Sequence, residues 1–181
     1  MNTGPGRSIH VLTLTPFYPS RNDDASGCFV SEPLAWLGKI GVRNTVFAMQ
    51  PLYRRRHHAK DSGILAEWLR HFAVPGALGV PIAGAFVFAR IVGRVRALHR
   101  LQEIDLIHAH EALPCGHAAM LLSKELGIPF IVSIHDLGSF SRAPAAGRIG
   151  AWCHRISRMV YASSRRVICA LSRTKFISSI L

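Results

Sequence analysis

The amino-acid sequence predicts an α/β fold built on a doubly wound parallel sheet, and three observations carry that prediction. Residues 105–137, DLIHAHEALPCGHAAMLLSKELGIPFIVSIHDL, hold two strand patterns on either side of one helix pattern. Residues 9–15 are apolar and β-branched after a Gly/Pro-rich lead-in, as suits a first, central strand. Finally, 181 residues with 49% hydrophobic side chains can bury one core, so a single domain over residues 1–181 is expected.

The segment 105–137 is the keystone. DLIHAH and FIVSIH read as buried strands, the second starting after the break at Gly127, Ile128 and Pro129. Between them Ala119, Leu122 and Leu126 recur at three- and four-residue spacing, which predicts an amphipathic helix over 116–126 closed by Gly127. Strand, helix and strand at this length make a βαβ unit, so the strands run parallel with a right-handed crossover. His110 and His135 then stand at the carboxyl edge of the sheet, where open α/β sheets bind ligands.

The remaining elements come in order. Pro16 ends the first strand, and a long polar loop leads through Ser26 and Gly27 into a helix marked by Val30, Leu34, Leu37 and Ile40. Pro33 fits that helix only in its first turn, so a start near Ser31 is expected. Gly41 closes it, and 44–49 form the second strand. Residues 50–61 are basic and irregular, which suits either a solvated loop or a phosphate or membrane contact. Residues 72–89 carry no charged side chain, but Pro75, Gly76, Gly79, Pro81 and Gly84 break the run into a turn and a helix starting near Pro81. A buried or interfacial helix is expected there in preference to a membrane span.

After a Gly/Ser/Pro/Ala loop, Ile149, Trp152, Cys153, Ile156, Met159 and Val160 mark the apolar face of a helix whose other side carries Arg148, Arg155, Arg158 and Arg165. The arginines form a solvated face or a docking surface for anionic lipid. Residues 166–171 are a last strand, and Ser172 caps a final helix.

Charge and cysteines narrow the class. With 22 Lys and Arg against 10 Asp and Glu, a net charge of +12 favours polyanionic partners: lipid headgroups, phosphorylated ligands or nucleic acid. Nucleic acid is not expected, because no aromatic platform or reading element accompanies the basic clusters. Cys28, Cys115, Cys153 and Cys169 form no CxxC pair, which points to a reduced chain. The N-terminus lacks the apolar run of a signal peptide. A cytoplasmic protein is expected, at most peripheral on the inner face of the membrane. His108 and His110 share a strand face near His117, yet two imidazoles without a carboxylate or thiolate make no metal site. No metal or cofactor is expected.

Three segments together resemble the N-terminal domain of GT-B fold glycosyltransferases, in particular the retaining family 4: residues 10–49, residues 105–140 and residues 165–181. The features that carry the resemblance are a glycine loop after the first strand, DLIHAHEALPCG, the GIPFIVSIH strand, and a final strand running into serine. The resemblance implies a Rossmann-like sheet forming one half of a two-lobed enzyme, and sugar transfer from a nucleotide-sugar donor to a glycan or lipid-linked acceptor. It implies that Ser26 and Gly27 pass close to the donor diphosphate, which agrees with glycine's close backbone approach and the helix N-terminus next to it. It implies that His135 contacts the transferred sugar and is the catalytic residue, with Asp136 beside it on the donor side. HDLGSF stands where H-G-x-D is common in the family. His110 and Glu111 are expected to line the acceptor side. No E-x7-E pair is present, so the donor-side second Rossmann-like domain is expected to be missing and the chain alone to be inactive. Two alternatives stand beside this reading: a non-catalytic basic module that binds membranes or nucleic acid, and an inactive truncated remnant.

Overall fold

A computed structural model describes residues 7–21, 23, 25–55, 57, 63–135 and 147–169. Six strands, β1 (His10–Thr15), β2 (Arg43–Pro51), β3 (Leu65–His71), β4 (Leu106–His110), β5 (Phe130–Ile134) and β6 (Val167–Cys169), form one sheet in the order β3-β2-β1-β4-β5-β6. Every pairing is parallel. The chain winds outward from β1 in both directions, so the strand order reverses between β1 and β4, where a crevice opens beyond the carboxyl ends. This is the expected Rossmann-like doubly wound sheet, with β1 at its centre.

Side-chain alternation divides the sheet into two faces. Leu12 and Leu14 of β1, Phe47 and Met49 of β2, Ile107 and Ala109 of β4, and Phe130, Val132 and Ile134 of β5 build the larger core. Three helices cover it: α2 (Val80–Leu101), α3 (His117–Leu126) and α4 (Arg148–Ser163). The opposite face packs Val46 and Ala48 against Val30 and Leu34 of α1 (Cys28–Lys39). His108 and His110 alternate with Ile107 and Ala109 and therefore lie on the α1 face.

The predicted turn before Pro81 is a 3-10 turn, Ala77–Gly79, and α2 starts with the proline in its first turn, where the missing N–H is no loss. Pro81, Ala83, Gly84, Val87, Ile91 and Val95 are buried, so one face of α2 is core, while Phe72, Leu78 and Val80 earlier in the uncharged stretch are exposed. Among the described residues no helix is long and apolar enough to cross a membrane. Gly84 has a packing role: a Cβ there would lie 2.5 Å from Cβ of His117 and 2.6 Å from its Nδ1, so α2 and α3 approach only because the side chain is absent.

Two expectations need correction, and one strand is new. Helix α1 begins at Cys28, so Pro33 sits inside the helix and leaves one carbonyl without its intrahelical partner. β3 was not anticipated: it is an edge strand whose Glu67 and Arg70 interrupt the apolar alternation, while Ile64, Ala66 and Trp68 pack beside the α1 core. In α4 the buried positions are Gly150, Cys153, Ile156, Val160 and Tyr161, while Trp152 and Met159 are 46% and 44% exposed. At 100° per residue the buried stripe centres between Cys153 and Tyr161, which leaves Trp152 and Met159 on the flank with Arg148 and Arg155. The final helix, Asp136 and the end of the last strand lie outside the described residues.

Candidate functional site

The turns that leave β1 and β4 build the site. At the end of β1 the Thr15 hydroxyl donates to the Phe17 carbonyl at 2.8 Å and accepts the Phe17 N–H at 3.0 Å, which turns the chain across the top of the sheet. It returns through Asp23, whose carboxylate accepts the Ser26 N–H at 3.0 Å, to Gly27 at φ +82. A Cβ on Gly27 would lie 2.6 Å from the Tyr18 nitrogen and 2.7 Å from the Phe17 carbonyl carbon, so the two arms of the loop touch backbone to backbone. The Gly27 carbonyl accepts from Val30 and Ser31, and α1 starts there without an acidic residue in its first turn. The N–H groups of Cys28, Val30 and Ser31 are taken by carbonyls, and it is the positive end of the helix dipole that favours an anion there.

β4 ends in a second strained turn. Glu111 adopts φ 68 and ψ 149, a conformation that costs a non-glycine residue roughly 1–3 kcal/mol. Three bonds hold it: its N–H donates to Ser133 O at 2.8 Å, its carbonyl accepts from Gly116 N at 2.9 Å, and its carboxylate accepts the His135 N–H at 2.9 Å. A five-residue turn, Ala112–Gly116, with Leu113 extended inside it and closed by that Gly116-to-Glu111 bond, then leads into α3. Gly116 is required here, since a Cβ would meet Glu111 O and Val160 at 2.9 Å.

Strand register aligns the histidines. His108 pairs with Ile131 and His110 with Ser133, so the side chain two residues further along β5 is the diagonal neighbour of each. Both diagonals are hydrogen bonds: His108 Nε2 with Ser133 Oγ at 2.7 Å, and His110 Nδ1 with His135 Nε2 at 2.7 Å. The three imidazoles form a ladder with centroid spacings of 4.5 and 4.9 Å. Burial is the main cause that pushes His108 down to about 4 and His110 down to about 2, with repulsion from the neighbouring imidazoles adding to both. Burial also lowers His135. All three are neutral at pH 7. Among the described residues no group of three His, Cys, Asp or Glu side chains is arranged to hold a metal ion.

Phe29 closes the arrangement. Its ring lies 4.5 Å from that of His135 and 5.8 Å from that of Phe17, so the first turn of α1 carries the glycine loop onto the end of β5. Beside this rim, over the ends of β1, β2 and β3, opens a cavity of about 490 Å³ whose wall includes Ser26, Glu111, Tyr53, Arg54, His57 and Trp68. His57 stacks on Trp68 with ring centroids 5.0 Å apart.

Of the residues singled out from the sequence, Ser26 and Glu111 line the cavity, while Gly27, His110 and His135 stand outside its wall. His110 meets His135 and not the cavity. Sequence reasoning missed Phe29, which periodicity presents as one more helix residue, and it missed the aromatic wall supplied by Tyr53 and Trp68. The only local signal for that wall was the Ile64, Ala66, Trp68 alternation.

A glycine turn after β1 and a histidine after β5 stand at one rim of this Rossmann-like unit, the carboxyl edge at which open α/β sheets bind ligands. Residues 34–175 match the family described as Glycosyltransferase Family 4, and the chain belongs to that family. It is 29% identical over 144 residues to TuaC of Bacillus subtilis (strain 168), a protein assigned to teichuronic acid biosynthesis as a glycosyltransferase. That match covers 70% of this chain and 36% of TuaC, so the chain spans about a third of the curated relative. Among solved structures it is similar to the glycosyltransferase SnogD from Streptomyces nogalater, with a TM-score of 0.45 and 18% identity over 92% of this chain and 44% of that one.

Proposed function

We propose that this domain is the acceptor-side half of a retaining glycosyltransferase that moves a sugar from a nucleotide-sugar donor to a glycolipid or polysaccharide-precursor acceptor. The observation that carries the reading is the shared rim, on which Phe29 brings the Gly27 turn against His135. Ser26 offers its hydroxyl and Gly27 the close backbone approach that brings the positive end of α1 to the donor diphosphate, and His135 contacts the transferred sugar, with Asp136 next to it in the chain. The acceptor occupies the neighbouring cavity, where Tyr53 and the His57 ring stacked on Trp68 give flat surface to a sugar ring and Glu111 and Arg54 give polar contacts. His110 serves the acceptor side through its bond to His135 and not by lining that cavity. Catalysis then rests on positioning and on stabilising the departing diphosphate, whose oxygen takes the acceptor's proton as the new glycosidic bond forms.

The reading requires a second Rossmann-like domain to close the groove and hold most of the nucleotide, and this half requires no cofactor. TuaC's assignment to teichuronic acid biosynthesis supports a polysaccharide-precursor acceptor. An anionic membrane surface is a fitting partner because α4 exposes Trp152 and Met159 on one flank with Arg148 and Arg155. Such a protein works at the cytoplasmic side of the membrane.

The test uses protein expressed from the whole reading frame that contains these residues, incubated with labelled nucleotide sugars and a membrane lipid extract. Label is expected to move to lipid or polymer, and His135→Ala is expected to reduce the rate by about a hundredfold, the scale of one lost transition-state hydrogen bond. Transfer that is indifferent to His135→Ala, or no transfer from any donor, overturns the reading.

A further inference from the structure

We propose that His110 is a positioning residue that donates its Nδ1–H to His135 and thereby locks His135 in the tautomer that carries Nδ1–H, a hydrogen-bond donor, at the carboxyl rim of the sheet. The inference rests on the reading that places His135 at the sugar, and it says what His135 does there: it donates and takes no proton.

One nitrogen of the ladder has no bonding partner among the described residues. His110 is 3% exposed, and among the described residues its buried Nε2 has no partner. Its Nδ1 lies 2.7 Å from His135 Nε2, so one of the two nitrogens carries the shared proton and the other accepts it. If His135 donated, the single proton of His110 would have to sit on the orphaned Nε2. A buried N–H without an acceptor is the rarer and costlier defect; a buried lone pair without a donor is the lesser one. The proton therefore sits on His110 Nδ1 and points at His135.

The consequences pass to the other ring. His135 Nε2 is an acceptor, and in the neutral imidazole the proton must then be on Nδ1. Phe29 lies 4.5 Å from one side of the ring, and the backbone N–H of His135 is tied to the Glu111 carboxylate at 2.9 Å, so the ring is packed and the backbone that carries it is held. His108 stands behind His110 with its Nε2 committed to Ser133 Oγ, so it offers His110 no competing acceptor there. A fixed N–H suits a sugar hydroxyl or a diphosphate oxygen, and a ring whose lone pair is already occupied is no general base.

Two-bond proton–nitrogen correlation spectra of the 15N-histidine-labelled protein at pH 7.5 read the tautomer directly, with His135→Gln assigning the signal. The expected result is a protonated Nδ1 and an unprotonated Nε2 on His135. His110→Asn, whose amide N–H replaces the Nδ1 donor, is expected to keep that pattern, and His110→Leu to shift His135 toward the Nε2–H form. A His135 protonated on Nε2 in the unsubstituted protein overturns the proposal, as does an unchanged tautomer in a folded His110→Leu protein. If His110→Leu fails to fold, the unsubstituted protein and His110→Asn decide the matter. Addition of nucleotide sugars separates the two claims. An Nδ1–H tautomer that no donor perturbs sustains the histidine pair and counts against the sugar reading.

Discussion

Phe29 lies with its ring centroid 4.5 Å from that of His135, although 105 positions of sequence separate the two. One sits in the first turn of α1, two residues past the glycine turn, and the other comes directly after β5. The contact ties the two halves of the doubly wound sheet together across the switch point between β1 and β4.

Replacing Phe29 by alanine is expected to lower stability by about 1 kcal/mol, the usual worth of an aromatic pair at a partly exposed site. It should also move the ring resonances of His135. Urea denaturation and the histidine spectrum together check this, and an unperturbed His135 would show that the rings do not touch in solution.

Gly27 and Gly127 both have positive φ, at 82 and 73, but only Gly27 has backbone within reach of a Cβ. Gly127→Ala should cost about 1–2 kcal/mol, the strain of the left-handed conformation alone. Gly27→Ala should cost more than about 3 kcal/mol, because Tyr18 and Phe17 must move as well. Equal midpoints in urea for the two variants would contradict the loop packing.

Two glycines in α2 make the opposite comparison. Gly93 has open space around it, so Gly93→Ala should stabilise the helix by about 0.5–1 kcal/mol. Gly84→Ala should destabilise by roughly 1–3 kcal/mol, since its Cβ would collide with the ring of His117 and part α2 from α3. Thermal melting of the pair reads the sign of each.

Acid should unfold this protein early. The folded state holds His108 and His110 below the ordinary histidine value of 6.5, at about 4 and about 2. The unfolded chain therefore binds more protons below pH 6.5. The stability these groups contribute is present above that pH and is lost as pH falls toward their folded values. Between pH 7 and pH 5 the loss should be about 2 kcal/mol for each of the two. His10, His71, His117 and His135 shift in the same direction through burial, which steepens the decline. Urea unfolding at pH 7, 6 and 5 checks the slope, and a flat profile would mean that the ladder is solvated.

Much of this was legible in the sequence because it is local. The βαβ keystone, the central β1, the helix starting at Pro81 and the placement of two histidines at one edge all come from periodicity and from glycine and proline at boundaries. The edge strand β3 was hidden because charged residues interrupt its alternation. The rotation of α4 was hidden because Trp152 and Met159 are as apolar as the residues beside them that are buried.

The sequence by itself determined the βαβ keystone, β1, β2 and the helix beginning near Pro81, and that the sheet is parallel, since these depend on spacings of two to four residues and on crossover length. The tertiary structure alone decided that His110 bonds His135, that Glu111 holds the same residue by its N–H, and that Phe29 covers it. Those contacts depend on the register between β4 and β5 and on where α1 crosses the sheet, quantities set by packing between segments that share no local pattern.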